Sequence, residues 1–319
     1  TEWSVIFPIL LVCSLLWVTL ACVIALAFLA VHFWIISRVK RTTAISQTNE
    51  AKKKARERRL TLARDIGTAL RKRYSLFWHR KVRLLLVTGD EAAIEQLVPG
   101  LRQQRWLEGQ RTVLIYGGSL LSEPDSEQYA ALRKLRRGRP LDGIVRVMPS
   151  SLTLTPQISE SDLHGLEKIS ELLGYAAPVW LWKLCDSEWS QAKRTEQTVG
   201  ATFPLRAKPD DITGQLERML PALRAQGMSQ VAENNSHDFL LRLGQHLKDG
   251  GIARWAQQLV PWLSVSQQRV PLRGLMFSLP ENKPTTSPEG TADAEQYIPG
   301  AHRHALTLPA TWQGIVEDC

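Results

Sequence analysis

The chain has 319 residues, 44% of them hydrophobic, and a formal net charge of +9. That length holds one membrane anchor and one or two modest domains. Its four cysteines, at 13, 22, 185 and 319, show neither C-x-x-C nor Cys/His spacing, which speaks against a disulfide framework or a zinc site and fits a reducing compartment.

Thr1 in place of a starting Met predicts a trimmed or partial chain. From Trp3 to Ser37 no Asp, Glu, Lys or Arg occurs. About 20 apolar helical residues cross a bilayer's hydrocarbon core, so the run predicts one long tilted transmembrane helix, with a tight hairpin as the alternative. It is too long for a signal peptide and has no basic residue ahead of it. Glu2 alone precedes the run, whereas Arg38, Lys40 and Arg41 follow it. Cations stay on the cytoplasmic side, which predicts an N-terminus outside and the remainder inside. Residues 38–83 carry 16 Lys and Arg against 3 Asp and Glu, a local +13 that leaves about −4 elsewhere. Such a segment suits anionic headgroups, at ~1 kcal/mol per cation. A membrane-tethered nucleic-acid binder is the rival reading, without the aromatic-interleaved platform that would accompany it.

After the run, Leu62, Ile66, Ala69, Leu70 and Tyr74 fall near one helical face and predict a basic amphipathic helix leading off the membrane. Strand and helix patterns then alternate. "VRLLLV" (82–87) is a strand, and "DEAAIEQLVPGLRQQ" (90–104) a helix with a break near Pro99. "RTVLIY" (111–116) is a second strand, ended by Gly117 and Gly118, and "SEQYAALRKLRR" (126–137) a helix. "DGIVRVM" (142–148) is a strand, and "SESDLHGLEKISELLG" (159–174) a helix capped by Ser159 or Ser161 and stopped by Gly174. "APVWLWKL" (177–184) is a further strand, on which Trp180 and Trp182 share one face and belong to the core.

Past Pro204, three helices are expected, broken by Pro221, Gly250–Gly251 and Pro261. "PLRGLMFSL" (271–279) returns as an apolar strand, and the Pro/Thr/Ser-rich stretch after it reads as a linker. The expected divisions are 1–41, transmembrane helix and basic flank; 42–80, juxtamembrane helix; 81–205, α/β domain; 206–280, helical extension with a closing strand; and 281–319, linker and tail. The fold class is α/β, with a mostly parallel sheet covered on both faces.

The stretch "LLLVTGDEAAIEQLV" has the layout of a phosphate-binding loop without its residues. The pattern G-x-x-x-x-G-K-[ST] places backbone amides around phosphate, a lysine on the β/γ charge and a hydroxyl on Mg²⁺. Counted from Gly89, its second glycine is Ile94, its lysine Glu95 and its hydroxyl residue Gln96. Other candidates have plainer readings. Asp186 is expected to cap a helix after its strand, and Ser236 or Asp238 of "SHD" to cap another. Two histidines in "HRH" (302–304) lack a third ligand at fixed spacing, so no metal is expected. Arg133, Arg136 and Arg137, in the run "RKLRRGR", are expected on a solvated helix face that could dock an acidic partner.

Four stretches together are similar to the cytoplasmic region of the TssM (IcmF) family of type VI secretion inner-membrane proteins. "RGRPLDGIVRVM" resembles the family's R-x-P-L-N-G-V, with Asp142 where Asn is usual, and "APVWLWKLCD" its P-V-Y-…-T-K-x-D. "TEQTVGATFPL" matches E-Q-x-x-G-x-T-F-P closely, and "PLRGLMFSL" resembles R-G-hydrophobic-F-x-S. The resemblance spans roughly residues 1 to 280 and implies a P-loop, GTPase-like domain after a second transmembrane helix. It departs at every nucleotide motif. "GDEAAIEQ" stands for G-P-P-G-A-G-K-[ST], Tyr116 for the aspartate of D-T-A-G-R, and Lys183 and Asp186 are one residue too far apart for T-K-x-D. The resemblance and its departures together imply an inactive pseudo-GTPase without cofactor, in the bacterial inner membrane with a periplasmic N-terminus. The implied partners are TssL, TssJ and cytoplasmic baseplate components, in a homo-oligomeric complex. An active NTPase, completed by residues from elsewhere, is the alternative.

Overall fold

A computed structural model describes residues 62–151, 158–263, 269–281 and 310–318, together with 29 and 32–34. The chain divides into two compact units, Thr1–Arg58 and Arg59–Cys319. In the first, residues 29 and 32–34 are helical and exposed. The rest of the expected transmembrane run, and the "HRH" stretch, lie outside the described residues. Among the described residues no helix is long and apolar enough to cross a membrane.

The second unit begins with helix α1 (62–74) and the single turn α2 (Trp78–Lys81). Strand β1 (Arg83–Gly89) runs into α3 (Glu91–Leu97) and α4 (Leu101–Gln104), followed by the hairpin β2 (Trp106–Gly109) and β3 (Thr112–Gly118). Helix α5 (Ser126–Leu135), β4 (Gly143–Ser151), α6 (Glu160–Leu173) and β5 (Val179–Cys185) continue the alternation. The short β6 (Gly200–Thr202), helices α7 (Pro209–Glu233), α8 (Phe239–His246) and α9 (Ile252–Pro261), β7 (Leu272–Ser278) and α10 (Ala310–Asp318) complete it.

The seven strands form one sheet in the order β2-β3-β1-β4-β5-β7-β6. The five from β3 to β7 are parallel, and β2 and β6 close the edges antiparallel. Side chains alternate between two cores, as strand geometry requires. Leu84 and Leu86 of β1 belong to the core on one face, which also takes in buried residues of α1, α5, α6 and α7–α9. Leu85 and Val87 belong to the core on the other, with buried residues of α3, α4 and α10. Each such fully buried side chain contributes roughly 1.5–3 kcal/mol. Trp180 lies across its neighbouring strands, and two glycines make room for it. A Cβ at Gly143 would stand 2.3 Å from the indole, and one at Gly274 2.8 Å from it.

Several expectations need correction. The juxtamembrane helix, expected as a segment apart from the α/β domain, packs into it: Leu62, Ile66 and Leu70 of α1 are buried in the domain core, so α1 belongs to the α/β unit. Pro221 does not break α7, which is continuous through it. The proline is exposed, which leaves the carbonyl it displaces to water, while Leu216 and Leu223 on either side are buried. The 281–319 region is not all linker and tail. Trp312 and Ile315 of α10 are fully buried, with the Trp312 ring 4.5 Å from that of Trp182, and Asp318 receives two hydrogen bonds from Arg273 at 2.6 and 2.7 Å. The 206–280 segment is likewise no appendage, since β7 sits inside the sheet. Gly250, at φ +87, breaks the chain between α8 and α9 as expected. The cap of α6 is Ser159, in a reciprocal capping box with Asp162.

Candidate functional site

Ligands of open parallel sheets bind beyond the carboxyl ends of the strands, where the strand order reverses. Here β1 feeds toward the β3 side and β4 toward the β5 side, so the reversal falls between Gly89 and the end of β4. A cleft of about 560 Å³ opens there, lined among others by Gly89, Asp90, Leu120, Arg146, Pro149 and Asp162.

The turn that forms its floor is short. Strand β1 ends at Gly89 and α3 starts at Glu91, with Asp90 as N-cap. Gly89 has φ +143, and a Cβ there would lie 2.3 Å from the Val147 carbonyl oxygen, so only glycine fits. The Asp90 carboxylate accepts from the amides of Ala92 and Ala93 at 3.1 and 3.2 Å. Those are the donors a helix N-terminus would present to phosphate, and here a side chain of the protein takes them. The other loop positions turn elsewhere. Ile94 is fully buried in the core, Glu95 accepts from the Gly100 amide at 3.0 Å, and Gln96 is exposed, its carbonyl bonded to the Glu281 amide.

The wall of the cleft is occupied by an ion pair that the sequence motifs do not announce. Arg146, near the middle of β4, gives its Nη2 to both oxygens of Asp162 at 3.0 Å and its Nη1 to the Val147 carbonyl. Both side chains are about nine-tenths buried, at 11% and 8% exposure. An arginine inside an apolar strand was the available signal, because such a residue is rarely buried unless paired. Its charge is cancelled locally, so an incoming anion meets no net cation from it.

The remaining candidates separate. Tyr116 bonds Glu91 at 3.3 Å through its hydroxyl, and burial and the Glu91 carboxylate raise its pKa. Lys183 is fully buried in β5, its Nζ donating to the Pro149 carbonyl at 2.8 Å, and burial lowers its pKa. It braces the end of β4 from behind. Asp186 caps no helix, since none begins before α7; its carbonyl accepts from Arg242. Asp238 is the N-cap residue of α8 but makes no side-chain cap bond, pairing with Arg242 at 3.1 Å instead.

Among the arginines, Arg133 and Arg137 are exposed. Arg136 is not available for docking: it holds the buried Asp142 at 2.6 Å. Asp142 also meets Arg139 at 3.2 Å and accepts from the Leu84 amide at 2.8 Å. Arg136 and the "RPLDG" stretch thus form a clasp around the buried Asp142 at the start of β4. The "GATFPL" and "PLRGLMFSL" stretches meet as β6 on β7, where a Cβ at Gly200 would lie 2.3 Å from the Met276 sulfur.

A second cleft, of about 600 Å³, lies beyond the ends of β5 and β7 and is lined by Asp186, Trp189, Gln191, Glu196, Ser278 and Glu281 among others. Burial, then the Glu196 carboxylate, pushes the Glu281 carboxyl above its ordinary range. Among the described residues no group of three or more His, Cys, Asp or Glu is placed to hold a metal ion. Comparison with known proteins yields no matching family model, no matching curated protein and no matching solved structure.

Proposed function

We propose that the chain is a structural inner-membrane scaffold of a bacterial type VI secretion complex, of the TssM kind. Its GTPase-like cytoplasmic domain docks proteins and does no nucleotide chemistry. The order of the four sequence stretches supports the family reading. A parallel sheet with β1 central between β3 and β4, and β2 antiparallel at the edge, supports a GTPase-like descent for the fold, although a fold by itself does not assign function.

One observation carries the inactive reading: Asp90 satisfies the helix amides in a turn only one residue long, where a phosphate cradle needs several free amides. With the Asp90 carboxylate and the neutralised Arg146 both lining this mouth, a triphosphate would meet negative charge instead of cations. The partners are TssL, TssJ and cytoplasmic baseplate components, engaged by a homo-oligomer whose N-terminus is periplasmic. Arg133 and Arg137 remain the docking candidates.

Calorimetry on the detergent-solubilised chain tests the nucleotide half, with no heat of binding expected for Mg-GTP or Mg-ATP. A dissociation constant below ~100 μM, about 5.5 kcal/mol, would overturn it in favour of an active NTPase. Co-purification of TssL with an Arg133→Glu/Arg137→Glu chain tests the other half, and reduced capture is expected. Undiminished capture removes these two residues as the docking surface.

A further inference from the structure

The amino ends of the parallel strands lie opposite the switch-point cleft and have a different character. Helix α1 stops at residue 74, and Ser75 reverses the chain at φ +69. Leu76 and Phe77 then project into solvent at 75% and 61% exposure, while Trp78 is buried at 3%. The turn is fixed from both sides. The Ser75 amide bonds the Arg71 carbonyl at 3.0 Å, Arg80 bonds Phe77 at 3.0 Å, and Val82 bonds Trp78 at 2.9 Å. The two apolar side chains are therefore held outward by a rigid base, anchored by the Trp78 indole in the core.

Cations surround them. Residues 71–81 contain five Lys and Arg and no Asp or Glu. Arg71, Lys72, Arg80 and Lys81 are exposed. Arg73 is partly engaged, with Glu108 at 3.3 Å and over the Tyr74 ring at 5.8 Å. The exposed Arg111 of the β2–β3 turn stands beside them, its backbone near the Tyr74 hydroxyl. Among the described residues of this unit, the other exposed large apolar side chains, Leu121, Trp189, Leu205, Met228 and Val260, stand singly along the chain.

We propose that the Leu76–Phe77 turn is a membrane wedge that seats this end of the domain on an anionic bilayer. An aliphatic and an aromatic side chain side by side suit the acyl boundary, and the cations around them suit the headgroups. Each cation near an anionic surface is worth a roughly five-fold gain in partition, within a screening distance of ~8 Å. Nucleic acid would use the same cations but leave Leu76 in water, and its bases stack on aromatic platforms. The wedge rests on this surface alone and stands whether or not the chain belongs to a secretion complex.

Hydrogen exchange tests it on the full chain in nanodiscs of phosphatidylcholine, alone or mixed with phosphatidylglycerol. Among the described residues, the Leu76 and Phe77 amides donate no backbone hydrogen bond, so lipid cover reads directly as slowed exchange. The expectation is slowing on the order of ten-fold for residues 75–78 in anionic discs, reversed by high salt. A Leu76→Ser/Phe77→Ser chain should lose the slowing and keep its unfolding midpoint, because Trp78 still anchors the base. Equal exchange of the unaltered chain in both discs overturns the proposal without recourse to a variant. So does slowing that survives in the double-serine chain, which would reduce the contact to charge alone. Slowing induced by duplex DNA in neutral discs, but not by anionic lipid, assigns the surface to nucleic acid and overturns it as well.

Discussion

Replacing Asp162 by Asn is the sharpest probe of the cleft. The substitution keeps the shape of the side chain and removes its charge, leaving the Arg146 guanidinium with a neutral amide and the Val147 carbonyl as its partners. Both partners are about nine-tenths buried, at 11% and 8% side-chain exposure, so water from the cleft replaces the lost carboxylate only in part. Breaking a buried pair by removing one member costs about 3–5 kcal/mol. Asn can still accept one of the two Arg146 bonds and the bond from the Ser159 amide, which places the expected loss near the lower end, ~3 kcal/mol. At roughly 2–4 °C per kcal/mol for a unit of this size, thermal unfolding followed by tryptophan fluorescence should drop by about 6–12 °C. An Arg146→Met/Asp162→Leu chain should recover most of that loss, because two apolar side chains leave no stranded charge. A drop of less than about 2 °C for Asp162→Asn, under ~1 kcal/mol, would refute the reasoning, since the pair would then be solvated or dispensable.

Installing the residues of a P-loop by Ile94→Gly, Glu95→Lys and Gln96→Thr should destabilise the protein and bring no nucleotide affinity. Ile94 is fully buried, and its removal from a helix costs about 3–6 kcal/mol, to be read by denaturant midpoint beside calorimetry. The folded-state pKa of Glu281 is raised, by burial first. Its ionised form therefore weakens the native state above that pKa, and the protonated form carries no such penalty below the ordinary carboxylate range. Glu281→Gln should accordingly raise the unfolding midpoint at pH 7, though only slightly because the residue is exposed to screening solvent, with the gain shrinking as the pH falls through the acid range; a gain independent of pH would count against this. Burial pushes the Cys185 thiol up to about 12, so it should resist thiol reagents at pH 8 in the native state and react only on unfolding.

The central strands were legible because a strand covered on both faces is a continuous apolar run. Their partners at the edges were not. β2 and β6 have four and three residues, too few for a period to register. The β2–β3 turn uses Gln110 and Arg111 at φ +21 and +63 in place of the usual glycine or asparagine. Helix α10 comes after a stretch of loop composition, and Trp312 and Ile315 are its fully buried residues, too few to stand out as a periodic face. At the site, the departures from the phosphate-loop pattern were plain in the sequence, but the Asp90 side chain that caps the α3 amides was not. Arg146 meets a partner sixteen residues away, and Arg136 leaves its basic run for Asp142; both pairings exist only once α5, β4 and α6 are packed. A charge run read as one solvated face was in fact divided between solvent and core.

The one-residue turn at Asp90 also bears on how readily such a domain could change its role. Natural variation explores side chains one at a time, and the positions from Asp90 to Gln96 can be altered in that way. What separates this turn from a phosphate cradle is length of backbone between β1 and α3, which no series of point substitutions supplies. An insertion would have to arrive whole, displace the Asp90 cap and slide the start of α3 without unseating Ala93, Ile94 and Leu97 from the sheet. A chain caught halfway loses the cap before it gains a cradle, so point substitution alone keeps this turn short of a phosphate cradle.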